Sequence, residues 1–323
     1  MGLKSFTHYQ PTKLVFGAGK LSQIGKITAR FGNRCLVVSD GGCNSLDEAI
    51  EQACDSLKSA GVDTAQFDGV ISNPTVNCVA QGTRAAKAHG ANIILGLGGG
   101  SSMDVAKAIA VEAVHEGGCW DYLYYKTRPG AATLPVIAVP TTSGSGSHVT
   151  QAAVVTNPPK QDKSALFHPR LFPKVAVVDP ELMRTLPRRI TAATGFDAFC
   201  HAFESVQHPA ASPYIEMMAW EALTLISGNL ERVLDAPEDA AARQTMAWAD
   251  TLAGTCIANA GVTLPHGIGM ALGGRHPGLM HGETLAMCYP ACARYTHRAA
   301  EGAFARLGRL LDTRLTSKAD PRA

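Results

Sequence analysis

The stretch that decides the fold is ANIILGLGGGSSMDVAKAIAVEAV, residues 91–114. Its first eight residues are almost wholly apolar and end in glycine, as a strand buried on both faces does. The sequence then changes period: from about Ser101 to Val114 it reads as a helix. Between the two lies GGGSS. Glycines let a backbone approach a pyrophosphate, and the free N–H groups at a helix start favour anions. Ser101 and Ser102 can donate to phosphate oxygens or simply cap the helix. The pattern is neither G-x-G-x-x-G nor a Walker loop, so a phosphate site and an ordinary capped turn both remain open here.

The same alternation extends outward. TKLVF (12–16), RCLVVS (34–39), TAQFDGV (64–70) and LPVIAVP (134–140) read as strands; residues 20–31, 44–60 and 76–89 read as helices. Short apolar strands alternating with helices predict a parallel sheet covered on both faces. GAGKLSQIG (17–25) carries a Gly-x-Gly that reads as a turn. Asp40 closes the second strand, where an acidic side chain commonly holds ribose hydroxyls and repels a 2′-phosphate; a turn before Gly41 and Gly42 is the plainer alternative. PTTSGSGS (140–147) follows another core strand and is rich in hydroxyl donors. Both glycine-rich loops fall at carboxyl ends of strands, where open α/β sheets bind ligands. After Pro187 only long helical stretches follow, such as 213–234 and 239–260. The expected division is an α/β half, 1–187, and an all-helical half, 188–323.

Composition narrows the function. The chain has 323 residues, 46% apolar and 17% charged, enough for two cored domains. A net charge of +2 argues against a nucleic-acid partner. No apolar run approaches the roughly 20 residues that span a bilayer, and MGLKSFTHYQ lacks a signal-peptide core. Nine scattered cysteines without a Cys-x-x-Cys pair suit reduced thiols and a cytoplasmic location. There is no Gly-x-Ser-x-Gly elbow for a nucleophile.

The helical half carries the chemistry. GFDAFCHAFES (195–205) sets Asp197 and His201 four apart, on one helical face. LPHGIGMALGGRHPGLMHGE (264–283) adds His266, His276 and His281. One carboxylate and three imidazoles suit Fe(II) or Zn(II) better than Mg or Ca. An N-terminal carboxylate beside an ordinary histidine is the plainer reading of the first pair, and spacing does not separate His276 from His281. His8, His89, His115, His168, His208 and His297 read as structural or solvated.

In their order along the chain, FGAG, VVSD, NPT (73–75), GGGSSMDVAKA, PTTSGSGSHVT, VVDPELMRTLP (177–187), GFDAFCHAFE and the final PHG…HG pair resemble the iron-containing (group III) alcohol dehydrogenase family, over nearly the whole chain. The resemblance implies a dehydroquinate synthase-like architecture: an α/β nucleotide domain, a helical metal domain and a cleft between them. It implies Asp197, His201, His266 and His281 as ligands to Fe(2+), or alternatively Zn(2+), and leaves His276 between the last two. It places Gly98, Gly99, Gly100, Ser101 and Ser102 on the pyrophosphate of NAD, and Asp40 at the position that prefers NAD over NADP. Thr141, Thr142, Ser145, Lys163 and Leu182 fall on the nicotinamide side and Asn73 on the adenosine side. The implied activity interconverts a small alcohol and its aldehyde or ketone by hydride transfer, in a homodimer or larger homo-oligomer. Two residues depart from the pattern: Met270 stands where many members carry a further histidine, and His148 where glutamate is common. Members typically continue for several more helices, so the helical half is expected to be short at its C-terminus. Met270 cannot relay a proton; His276, a ribose hydroxyl and water are the candidates. The alternatives are a glycerol dehydrogenase-like zinc enzyme, a metal-free maleylacetate reductase-like enzyme, a 3-dehydroquinate synthase-like enzyme, and a truncated non-catalytic nucleotide-binding homologue.

Overall fold

The computed structural model describes residues 5–41, 44–312 and 314–315. Strands β1 (Lys13–Phe16), β2 (Arg34–Asp40), β3 (Asp63–Val70), β4 (Ile93–Gly98) and β5 (Val136–Pro140) alternate with helices α1 (Ile24–Thr28), α2 (Asn44–Ser59), α3 (Val76–His89) and α4 (Gly100–Glu112). A hairpin, β6 (Ala152–Asn157) and β7 (Asp162–Phe167), and a last strand β8 (Val175–Val178) complete this half. Then come α5 (Arg188–Gln207), α6 (Pro213–Asp235), α7 (Ala240–Asn259), α8 (Leu264–Arg275), α9 (His281–Thr296) and α10 (Glu301–Leu311).

Six strands form one all-parallel sheet in the order β1-β8-β5-β4-β2-β3. The period-two rule sorts their side chains. Cys35, Val37, Ile93, Leu95 and Leu97 pack with Leu21, Ile24, Ala53 and Leu57 beneath α1 and α2. Leu36, Val38 and Ile94 pack with Val79, Ala86, Val105 and Ile109 beneath α3 and α4. Both faces are therefore covered, as the continuous apolar strands require. Within the helical half, Phe203, Trp220, Leu223, Ile226, Met246 and Leu307 build a separate core.

Three local departures from the sequence expectation have physical causes. The helix expected over 20–31 is broken into a 3-10 turn, Lys20–Gln23, and the short α1. Asp179 takes the N–H groups of Gly19 (3.1 Å) and Leu21 (3.0 Å), and so tightens the start. β8 is a run of four residues, VAVV, enclosed between Pro173-Lys174 and Asp179-Pro180, which read as turns. The antiparallel β6–β7 hairpin lies outside the main sheet and packs on α8: a β-carbon on Gly274 would lie 2.8 Å from the Gln161 carbonyl oxygen. It thereby joins the two halves.

Candidate active site

A cavity of about 550 Å³ lies between the halves. The α/β half contributes the carboxyl ends of β2, β4 and β5, where open parallel sheets bind ligands. Asp40, Gly99, Gly100, Ser101, Ser102, Thr142 and Ser145 line it. Gly98 turns with φ +148, and a β-carbon there would lie 2.4 Å from Ser102 Oγ and 2.6 Å from Asp40 Oδ1. The missing side chain lets Ser102 Oγ donate to Asp40 at 3.0 Å. A β-carbon on Gly100 would meet that of Ser145 at 2.7 Å, so the two glycine-rich loops touch. Thr141 closes the seam by donating its N–H to the Gly98 carbonyl at 2.9 Å. The second loop is anchored from below. Lys107, fully buried on α4, donates to Ser147 O (2.7 Å), Ser147 Oγ (2.8 Å) and Ala152 O (2.7 Å).

The helical half supplies the donors. Asp197 and His201 stand one turn apart on α5, His266 in the first turn of α8, and His281 at the first position of α9. Asp197 Oδ1 is the point of convergence. It lies 3.5 Å from His201 Nε2, 3.4 Å from His266 Nε2 and 3.9 Å from His281 Nε2. Among the described residues, Asp197, His201 and His266 place their ligand atoms within 4.8 Å of one another. His281 stands at the rim, its side chain 22% exposed. Asp197 Oδ1 and His266 Nε2 are buried without a hydrogen-bond partner. Leaving such atoms unpaired is costly, and a cation among them would satisfy both.

The far sides of two rings are already occupied. His201 Nδ1 donates to Gly144 O at 3.1 Å and His266 Nδ1 to Glu204 Oε1 at 2.7 Å. Both bonds turn Nε2 toward the convergence point, the arrangement that metal-ligating histidines use. Burial pushes the Asp197 carboxyl up, but His201, His281 and His266 outweigh it and hold the group well below the usual carboxylate range. Burial pulls His281 down to about 3 and lowers His201, which keeps both neutral, the ligating form. For His266, burial pulls down, but the carboxylates of Asp197 and Glu204 on either side of the ring win and raise it to about 9; a cation at Nε2 would take the place of that second proton. The donor set thus fits a divalent ion with a preference for nitrogen and carboxylate ligands.

Other residues singled out in the sequence lie elsewhere. His276 is exposed past the end of α8 and does not line the cavity. Leu182 packs against the sheet core. Gly98 and Thr141 shape the loops from behind the lining. Lys163 and Asn73 do line it, but they also hold each other: Lys163 Nζ donates to Asn73 Oδ1 at 2.6 Å. Asn73 Nδ2 reaches across to Pro277 O (2.8 Å) and Leu279 O (2.9 Å), in the segment leading to His281. In this structure Asn73 is a strut between the halves. His148 is fully buried, its Nε2 against Thr251 Oγ1 at 2.9 Å. Sequence reasoning missed Glu204, although its place three residues after His201 sets it on the same face of α5.

Residues 11–180 match the family described as iron-containing alcohol dehydrogenase, and residues 191–323 its C-terminal part. The chain is 33% identical over 318 residues to a 1,3-propanediol dehydrogenase of Klebsiella pneumoniae, covering 98% of this chain and 82% of that protein. It is 33% identical over 304 residues to an NAD-dependent methanol dehydrogenase of Bacillus methanolicus, covering 93% and 78%. The crystal structure of an archaeal halo-thermophilic Red Sea brine pool alcohol dehydrogenase superposes with a TM-score of 0.94 at 32% identity, covering 99% of this chain and 82% of that one. None of the described helices is long and apolar enough to cross a membrane. With both halves matched in order, and relatives above 30% identity along almost its full length, the chain belongs to the iron-containing alcohol dehydrogenase family.

Proposed function

We propose that the cleft is the active site of this NAD-linked alcohol dehydrogenase, with Asp197, His201, His266 and His281 holding Fe(2+) or, in the same donors, Zn(2+). The observation that carries the reading is the meeting of the Nε2 atoms of His201, His266 and His281 at Asp197 Oδ1, in the cavity that the glycine-rich loops also line. When bound, the ion supplies Lewis-acid polarisation of a substrate oxygen and NAD supplies the hydride acceptor.

The chain's own residues orient and enclose. Gly99, Gly100, Ser101 and Ser102 line the cavity at the start of α4, where a helix N-terminus suits a pyrophosphate. Thr142 and Ser145 border the nicotinamide side. Asp40 takes ribose hydroxyls and excludes a 2′-phosphate. His201, fastened to Gly144 of the second loop, would hold an ion in register with the loop that lines the nucleotide side, the kind of positioning a hydride transfer needs. Ile190, Ile257, Val262 and Met270 give the substrate side an apolar wall that limits water. Met270 moves no proton and His276 lies outside the cavity, so neither would relay the alcohol's proton.

The substrate class is a small alcohol with its aldehyde or ketone. The functional halves are taken as 1–187 and 188–323, and the protein as a cytoplasmic homodimer or larger homo-oligomer. Metal analysis of anaerobically purified protein tests the site. Nicotinamide absorbance with a panel of alcohols and aldehydes tests the reaction. Full metal occupancy and turnover are expected. NADH binding with no turnover on any substrate would instead favour a nucleotide-binding homologue without catalysis.

A further inference from the structure

Glu204 is fully buried, with 0% exposure, beneath the metal-ligand cluster. It follows Asp197 by seven residues and His201 by three, so all three face the same side of α5. A buried carboxylate is costly unless it is well paired. Its three partners all come from the start of α8. Oε1 accepts from His266 Nδ1 at 2.7 Å. Oε2 accepts from Thr263 N at 2.6 Å and Thr263 Oγ1 at 3.1 Å. Thr263 is the N-cap residue of α8 and has no side-chain cap bond of its own, so Glu204 holds the helix from which His266 projects.

We propose that Glu204 is the positioning residue of the metal centre. Oε1 fixes the Nδ1–H tautomer of His266 and leaves the Nε2 lone pair toward Asp197. Oε2 fixes where α8 begins, and with it the reach of the ring. The two oxygens serve donors on two different groups, and only a carboxylate does both. A glutamine there has one oxygen. If its NH₂ faces Thr263, two donors meet and the start of α8 loosens. If its NH₂ faces Nδ1, the ring must carry its proton on Nε2, where a metal bond would form.

This inference rests on the metal-site reading, and the test separates the two. The full-length chain and its Glu204→Gln variant are stripped with a chelator and titrated with Zn(2+) alone, by competition with a chelating dye. NADH binding is measured on the same samples. The expected result is zinc affinity lower by about 10–100-fold in the variant, as for other partners of ligating histidines, with parental NADH affinity. Equal zinc affinities would overturn the role of Glu204 and leave the metal site standing. A parent chain that binds no zinc would overturn both. A second measurement needs no variant: NMR of the zinc-loaded parent with isotope-labelled histidine. A hydrogen-bonded Nδ1 proton on His266 is required, and coordination through Nδ1 would sink the proposal even if Glu204→Gln fails to fold.

Discussion

Gly282 packs directly on Ala193: a β-carbon at Gly282 would lie 1.9 Å from the Ala193 carbonyl oxygen. This contact seats the first turn of α9 on α5 one residue after His281. Arg189 reinforces it with two bonds to Glu283, at 2.6 and 3.0 Å. Backbone cannot give way as a side-chain end can. Gly282→Ala should therefore lift α9, cost about 1–3 kcal/mol as overpacking does, and weaken metal binding while sparing NADH. Urea unfolding and zinc titration check this; parental values in both would show that α9 adjusts freely.

His281 stands at the rim of the cluster, but it is the third imidazole around Asp197 Oδ1 and completes a set of four donors. His281→Ala should abolish bound metal and leave NAD affinity largely intact. Metal analysis with a parallel nucleotide titration decides it. Full occupancy in the variant would remove His281 from the ligand set.

Asp40 accepts from Ser102 and lines the cleft at the carboxyl end of β2. Asp40→Gly should relax the preference against NADP by removing the negative charge a 2′-phosphate would meet. The ratio of kcat/KM with the two cofactors is the readout. An unchanged ratio would give Asp40 a purely local role in holding the glycine-rich loop.

Asn73 has a left-handed backbone, φ +52, which asparagine tolerates better than most residues. Asn73→Gly keeps that conformation and removes only the strut. The carbonyls of Pro277 and Leu279 and the Lys163 ammonium lose their partner. The expected cost is about 1–3 kcal/mol for each group that water does not reach. Equilibrium unfolding measures it. Weaker NADH binding at unchanged stability would return Asn73 to the cofactor alone.

Asp250 gives the pH dependence a sign. Burial pushes its carboxyl up to about 7, against the opposing bonds from Gly144 and Gly146. The nearby His148, 3.9 Å away, is itself pulled by burial to about 3 and stays neutral. Between the ordinary carboxylate value, near 4, and about 7 the folded protein holds a proton that the unfolded chain has released. Asp250 therefore makes stability fall as pH rises through that window and level off above it, at about 1.4 kcal/mol per pH unit of elevation. Asp250→Asn keeps an acceptor for Gly146 and should flatten this decline, so that the variant gains on its parent above pH 7. Denaturant midpoints at mildly acidic and mildly basic pH test it. An undiminished slope would place the effect on another group.

Most of the sheet was legible because β4 and the helix after it switch period within a few residues. The hairpin and β8 were not, because Pro158-Pro159, Pro173 and Asp179-Pro180 break up their runs. His276 and His281 look alike in one dimension. Three-dimensional placement distinguishes them: His276 lies ten residues beyond His266, about 15 Å along a helix, past the far end of α8. The chain then doubles back, and α9 opens with His281 beside His266. Glu204 was hidden for another reason. Its partners, Thr263 and His266, lie about sixty residues away, and no local spacing reports a bond across two helices.

The pairing of β1 with β8 also has a consequence for how the chain is made. Among the described residues, Lys13 to Phe16 find their sheet neighbours in Val175 to Val178 alone. During vectorial synthesis β1 leaves the ribosome well before β8, the strand it pairs with. β2 to β5 can assemble in turn, each new strand meeting one already present. The N-terminal strand stays an unclaimed edge until some 160 residues have followed, and Asp179 then fastens it through Gly19 and Leu21. Closing so long a loop costs more chain entropy than the local pairings of β2 to β5, and until it closes β1 is open to a wrong partner.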